Sequence, residues 1–393
     1  MKIIKQGTLV CLLALNSNLV LAAEDCTLNG VEVSDSNGAT TAGKTGIMRC
    51  KDRDTGKMLK EREIRAGKWV GVTRNYVDGV LSLEYTQDEN GREHGVRRAY
   101  GPNKQLLLEE NNEHGTRVGV MREWYADGKL RSIENYAKTE SEKAKARFTP
   151  KGQLNSLECA SKPVFGNYLD DAGLCGFKGK PSTIEYFHDD GKVRARETYL
   201  AGMTQSYLEL YANTGKTKLS YTLQGKRGNE TQFNQDGVKL REVLWDEAEK
   251  PRVMLRKAEF HASGSLVAEQ QFGMFDFAGK RRHLLTLDAT YFLNGQPRTR
   301  ESFSIQGQER VKEVQMFHDN GKLYSQGRYV EEGQYRQRAL GVHQSFSTNG
   351  TLISESHYDE KGKITRERQF DEAGKLKSDD AVFEDGSRKA FAK

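Results

Sequence analysis

The sequence predicts an all-β fold: an elongated, twisted antiparallel β-meander built from repeated β-hairpins. Three observations predict it. First, one segment recurs with variations, as in Met316-Phe317-His318-Asp319-Asn320-Gly321-Lys322-Leu323, Tyr186-Phe187-His188-Asp189-Asp190-Gly191-Lys192-Val193 and Glu123-Trp124-Tyr125-Ala126-Asp127-Gly128-Lys129-Leu130. Its Asp-Gly and Asn-Gly pairs favour two-residue type I′ turns, in which both central residues have φ > 0. The aromatics before the turn and the aliphatic after it suit strands. Second, Gly56 and Gly79 are 23 residues apart, Gly128 and Gly152 are 24, Gly191 and Gly215 are 24, and Gly215 and Gly237 are 22. That is a repeat-protein period. Third, Gly350, Gly362, Gly374 and Gly386 are each 12 residues apart. A 24-residue unit with two strands and two turns explains both spacings, and the turns then alternate between the two long edges of the sheet.

At the N-terminus, Lys2 and Lys5 precede an apolar run from Leu9 to Leu15, and Leu21-Ala22-Ala23 offers a small-residue cleavage site. Residues 1–23 read as a signal peptide, with an apolar run too short to span a bilayer. The mature chain is expected in the periplasm, or outside the cell. Residues 24–49 lack the repeat and read as an N-terminal cap with turns at Asn29-Gly30 and Asn37-Gly38. A cap protects an open strand edge.

Residues 50–158 form a first hairpin array. Within it, Glu140 to Lys145 has the composition of a short helix, but Tyr136 and Phe148 are 12 apart, which suits strand, turn and strand. Residues 159–176 break the rhythm. Gly152 and Gly191 are 39 apart, and Pro163, Gly166, Gly173 and two cysteines fall between them. This stretch reads as a disulfide-closed insert. Residues 177–393 form the second array, with charged stretches at Asp246 to Arg252 and Phe275 to Arg282 read as longer surface loops. Open twisted sheets seldom exceed about ten strands, so a single curved sheet with one concave face is expected.

Four cysteines follow the leader: Cys26, Cys50, Cys159 and Cys175. An even count in an exported chain implies disulfides. Of the three pairings, Cys26–Cys50 and Cys159–Cys175 close the shortest loops. Each would stabilise the fold by about 3 kcal/mol in the chain-entropy account. Separations of 24 and 16 residues are not the close pairs of a zinc site.

The repeat resembles the MORN-repeat-variant family of bacteria, whose members repeat two tyrosines, a spacer, Asn-Gly-Lys-Leu, then a glutamate and a second aromatic. Trp124 to Leu130 with Glu134 and Tyr136 fits this pattern. So do Tyr186 to Lys192 with Glu197 and Tyr199, and Phe317 to Leu323 with Tyr329. The resemblance runs over roughly residues 50 to 386. It implies a hairpin scaffold and, because many members are antitoxins, an immunity-type role.

No nucleophile elbow, paired-histidine zinc motif, phosphate loop or dinucleotide fingerprint occurs. Neither an enzyme nor a cofactor or metal is expected. Loss of Lys2 and Lys5 with the leader lowers the net charge from +6 to +4, too weak for a nucleic-acid partner. A charged fraction of 30% and a mean hydropathy of −0.76 suit a sheet wet on much of both faces. His188, His261 and His318 each precede a turn glycine by three, so they read as turn structure. Glu134, Glu197, Glu242 and Glu269 recur five or six residues after turn glycines and read as strand-face residues paired with Lys or Arg. The aromatics form a packing stripe, but one sheet cannot bury every ring. Trp69, Tyr100, Trp124, Tyr125, Tyr186, Phe187, Tyr211 and Trp245 are the candidate partner-binding anchors. The expected function is a periplasmic antitoxin or immunity protein that sterically blocks a secreted toxin or effector, such as a lipase or phospholipase. The alternative is a non-enzymatic envelope protein that binds cell wall, glycan or lipid headgroups.

Overall fold

The computed structural model describes residues 24–277, 279–333 and 336–392. Residues 1–23, expected from the sequence to be a signal peptide, lie outside them. The chain divides into two compact units, one running to Gly152 with Ser156–Glu158, the other comprising Gln153–Asn155 and Cys159 onward. Each holds one open antiparallel meander. The first sheet has 12 strands in chain order from Leu154–Glu158 back to Gly46–Asp52, then Glu24–Leu28 and Val31–Val33. The second has 17 strands, in chain order from Ser182–Phe187 to Arg388–Ala392. The expected single sheet is therefore two, broken where the repeat rhythm fails.

The turns correct the expected type I′ geometry at most repeats. At Tyr125, the amide donates to the Lys129 carbonyl at 2.9 Å, and the Gly128 amide donates to the Tyr125 carbonyl at 2.9 Å. His188 with Lys192 and His318 with Lys322 repeat this pattern. These are three-residue loops closed by a glycine at positive φ, which is +86° at Gly128, +93° at Gly191 and +80° at Gly321. Asp127, Asp190 and Asn320 do not share the positive φ. Their side-chain oxygens accept instead from the amides of Lys129, Lys192 and Lys322. A type I turn followed by a glycine bulge needs only one left-handed residue. Genuine two-residue turns with both φ positive occur at Asn29-Gly30, Ala66-Gly67, Asp78-Gly79, His114-Gly115 and Ala201-Gly202.

Bulges also interrupt strand interiors. Gly71 has φ +97° and Gly119 has φ +68°, and the register shifts beside each. Glu63 lies over Gly71 and accepts from the Val72 amide at 3.1 Å. Gly71-Val72, Gly95-Val96 and Gly119-Val120 are each 24 residues apart and each precede an aromatic, which repeats the 24-residue period of the turn glycines inside the strands.

Few strands alternate between buried and exposed. Val80–Gln87 is half-buried at every position. Gly46–Asp52 does alternate, because the cap covers one of its faces. There Cys26, Leu28, Val33, Met48, Cys50 and Ile64 form a buried cluster. Cys26 lies directly opposite Cys50, and the two are disulfide-bonded. Asp35 holds Lys60 at 2.6 Å and Arg62 at 2.7 Å above this cluster.

Where no cap covers the first sheet, charges pair sideways. Arg49, Glu61, Arg74, Glu84, Arg98, Glu109 and Arg122 lie directly opposite one another on successive strands. The links are 2.9 Å for Arg49–Glu61, 2.6 Å for Arg74–Glu84 and 2.8 Å for Arg98–Glu109, with Arg122 also on Glu109.

Cys159 and Cys175 are joined as expected and close the insert. Within it Asp171, 4% exposed, accepts from the Val164 and Phe165 amides at 2.6 and 3.1 Å. Glu140–Glu142 is one turn of 3-10 helix between the strands that end at Tyr136 and begin at Ala144. The charged stretch at 275–282 is not a loop. It closes the long hairpin of Leu266–Phe277 and Lys280–Tyr291, where Phe275 faces Arg282.

Two outcomes check this architecture. Thiol-blocking reagent applied before reduction should label none of Cys26, Cys50, Cys159 and Cys175, by mass spectrometry. Gly67→Ala should lower Tm more than Gly128→Ala. Both hold left-handed φ, +84° and +86°, so both variants bear roughly 1–2 kcal/mol of backbone strain. A Cβ at Gly67 would also lie 2.9 Å from the Gly43 nitrogen and 3.0 Å from Ala42 Cα, whereas at Gly128 nothing lies within 4 Å. Equal losses would mean that the cap loop does not press on the Gly67 turn.

Candidate binding site

Three neighbouring strands of the second unit, Met203–Leu210, Thr217–Gln224 and Arg227–Phe233, line a depression, with Lys239–Asp246 beside them. Tyr207 lies opposite Tyr221, Tyr221 opposite Glu230, and Leu223 opposite Gly228. Gly228 in turn lies opposite Trp245. Directly opposed residues share a sheet face, so these side chains stand together.

Gly228 makes the room. A Cβ there would come 2.6 Å from Glu247 Oε1 and 2.7 Å from the Tyr221 hydroxyl. With only hydrogen at that position, the Tyr221 hydroxyl donates to Glu247 at 2.9 Å. The loop of residues 247–252 brings Glu247, Lys250 and Arg252 to the same face. The Arg252 guanidinium lies 4.2 Å above the Trp245 ring. It also reaches Glu247 at 3.2 Å and Glu230 at 3.8 Å. Met203, Thr204, Leu219 and Leu223 complete a cavity of about 450 Å³, and Met203 is 62% exposed at its rim.

Two carboxylates and two cations leave this rim neutral over an aromatic and aliphatic floor. Burial, followed by the hydrogen bond to Glu247, pushes the Tyr221 hydroxyl up to about 12. The arrangement suits recognition of a side chain with an apolar body and a polar tip, because only shape and a compensated rim are offered.

The sequence-predicted aromatics do not converge. Trp245 lies under Arg252, beside this depression. Trp69 is 41% exposed, with the Arg62 guanidinium 4.2 Å over its ring. Trp124 lies under Arg122 at 5.2 Å. Tyr100 lines a small apolar hollow of about 260 Å³ with Val77, Leu81 and Pro102. Tyr125 and Tyr211 donate their hydroxyls to the Phe148 and Phe233 carbonyls, each at 2.8 Å. They bind the next hairpin on the same edge. Phe187 is half-buried. Tyr186 is 2% exposed, with its hydroxyl on Glu197 at 2.8 Å. Burial removes it from the proposed anchor set.

Two of the three histidines serve turns, whereas His188 Nε2 is buried with no hydrogen-bond partner among the described residues. His318 Nε2 lies 3.2 Å from the Phe346 carbonyl, in the position that Tyr125 and Tyr211 hold elsewhere. His261 bonds Ser263 in its own turn. Of the glutamates, Glu134 pairs with Lys145, and Glu269 pairs with Arg256 at 2.7 Å. Glu242 lies 3.4 Å from Lys239. Glu197 departs from the expected Lys or Arg pairing and takes hydroxyls from Tyr186 and Thr204. Among the described residues, the one group spaced like metal ligands is Glu24 with Cys26 and Cys50, and those cysteines are already disulfide-bonded.

Sequence reasoning missed Met203, Tyr207, Tyr221, Glu230, Glu247 and Arg252. The signal available was the charged, off-rhythm loop after Trp245. Its fold back over the sheet is not written in the repeat period.

This fold is that of a hairpin-repeat protein. Residues 117–138, 310–331 and 339–360 each match the MORN repeat variant family, so the chain carries MORN-type repeats at these segments. No curated protein matches it. Among solved structures it is similar to a chain of the TcdB2-TccC3-Cdc42 complex, with 10% identity and a TM-score of 0.18, covering 93% of this chain and 19% of that one. It is also similar to a proposed 6-phosphogluconolactonase from Bacteroides uniformis, with 11% identity and a TM-score of 0.13, covering 90% and 92%.

The site makes a pH prediction. Tyr221 has its hydroxyl pushed up from 10 to about 12 in the folded chain. A folded value above the unfolded one contributes stability that is complete below pH 10 and lost as pH rises through about 12. Wild type should therefore lose more stability than Tyr221→Phe across that window, by Tm against pH. Parallel curves would show that the hydroxyl is not held by Glu247.

Proposed function

We propose that this protein is a non-enzymatic binding scaffold of the bacterial envelope that neutralises a secreted toxin or effector by docking on it, an antitoxin of the immunity type. The supporting observation is the depression built by Tyr207, Tyr221, Glu230, Glu247 and Arg252. It offers a rigid, strand-mounted receptor for an anchoring side chain, with exposed Met203 at its rim. Interface energy concentrates in such pockets. The mechanism is steric: the scaffold covers the surface through which the effector reaches its substrate. Two disulfides support residence in an oxidising compartment, and the basic, apolar start of the chain supports export. Among the described residues, no helix is long and apolar enough to cross a membrane.

The test is co-purification of the chain, expressed in its own cells with its neighbouring genes, followed by protection of those cells from the captured effector. Met203→Asp should weaken capture at least tenfold while leaving Tm within about a degree, since its side chain is mostly in solvent. A chain that captures no effector and protects no cell would refute the reading. Capture unaffected by Met203→Asp would move the docking surface elsewhere.

A further inference from the structure

A second hollow, of about 420 Å³, lies on the same sheet further along the chain. Two cross-strand rows form its floor. In one, Arg300 faces Gln315 and Gln315 faces Gln326. In the other, Ser302 faces Glu313 and Glu313 faces Arg328. Val342 stands at its wall.

Arg300 differs from several arginines of its sheet. Arg256, Arg310, Arg366 and Arg368 each hold a carboxylate. The cross-strand neighbours of Arg300 are Ala289 and Gln315, and it makes no hydrogen bond or ion pair with a described residue. Arg328 does have an acid, Glu313 at 3.5 Å, so that pair is neutral. The hollow therefore carries one uncompensated guanidinium.

Neutral polar groups surround it. Gln326 Nε2 donates to Gln344 Oε1 at 2.7 Å, and Gln344 Nε2 donates to Glu355 at 2.8 Å. That chain orients the Gln326 amide and leaves its oxygen free to accept. Neither the Gln315 amide nor the Ser302 hydroxyl has a partner among the described residues. An amide offers both donors and an acceptor, as a hydroxyl does. Strands stand about 4.8 Å apart, so these groups form a flat grid rather than a point site.

We propose that this hollow binds an acidic saccharide. The carboxylate of a uronic acid residue pairs with Arg300, whose planar fork suits two carboxylate oxygens. The ring hydroxyls meet Gln315, Gln326 and Ser302. A bare anion would use Arg300 alone and leave the amides idle. This site shares no residue with the depression around Tyr221, so it stands whether or not that depression docks an effector.

Calorimetric titration with trigalacturonate tests it, beside uncharged maltotriose, inorganic sulfate and phosphatidylglycerol vesicles. Trigalacturonate should bind at least tenfold more tightly than sulfate, and maltotriose should not bind. Arg300→Gln should weaken trigalacturonate binding at least tenfold. Arg300→Lys, which keeps the charge but loses the fork, should weaken it several-fold. Gln326→Leu should also weaken it several-fold, with the Tm of each variant reporting its fold. Three results would overturn the proposal: no trigalacturonate binding at millimolar concentration, an affinity unchanged by Arg300→Gln, or binding of sulfate or vesicles as tight as that of trigalacturonate.

Discussion

Each unit of this protein has to satisfy its side chains sideways, within one sheet. The apolar cluster at Cys26, Met48 and Ile64 is confined to the capped end of the first sheet. Beyond it, strands such as Val80–Gln87 are half-buried on both faces. The charge row from Arg49 to Arg122 is the direct result: each inner member has an opposite charge on the strand before and the strand after. Cross-strand pairs contribute about 0.2–1 kcal/mol each. Six such links reach the order of a few kcal/mol, a useful share of the net stability of a domain.

The same constraint explains why sites arise where the sideways pattern is interrupted. Gly228 withholds a side chain, and Tyr221 and Glu247 meet over the gap. Arg300 faces a glutamine where a glutamate would have neutralised it. Gly327 is the third case. There the His343 ring folds onto the glycine, between Tyr329 at 4.8 Å and Tyr358 at 4.5 Å.

Much of the fold was legible in the sequence. Asp-Gly and Asn-Gly pairs mark turns whichever turn type results, so Gly128, Gly191 and Gly321 fall where expected. The turn type itself was misread, because the Asp127 and Asn320 side chains cap the following amides and keep their own backbones right-handed. Ala66-Gly67 and Ala201-Gly202, with an alanine in the left-handed position, carry no comparable signature. The disulfides were legible because Cys26 and Cys50 fall on adjoining strands, in register. The candidate site was legible only through Trp245. Glu230 and Tyr221 sit on separate strands, and nothing in a local pattern says that a loop will lean over them.

Along one long edge of each sheet, hairpins are stitched to each other. Lys129 reaches the Pro150 carbonyl, Lys216 the Asp236 carbonyl and Lys322 the Asn349 carbonyl. Every stitch extends just one hairpin onward and grips a main-chain oxygen, which any residue supplies. Such an edge is indifferent to the identity of its neighbour. A gene that duplicated or lost a 24-residue segment would still present each remaining lysine with a carbonyl to hold, so the array can change length by recombination and keep its seam, while its hollows diverge independently.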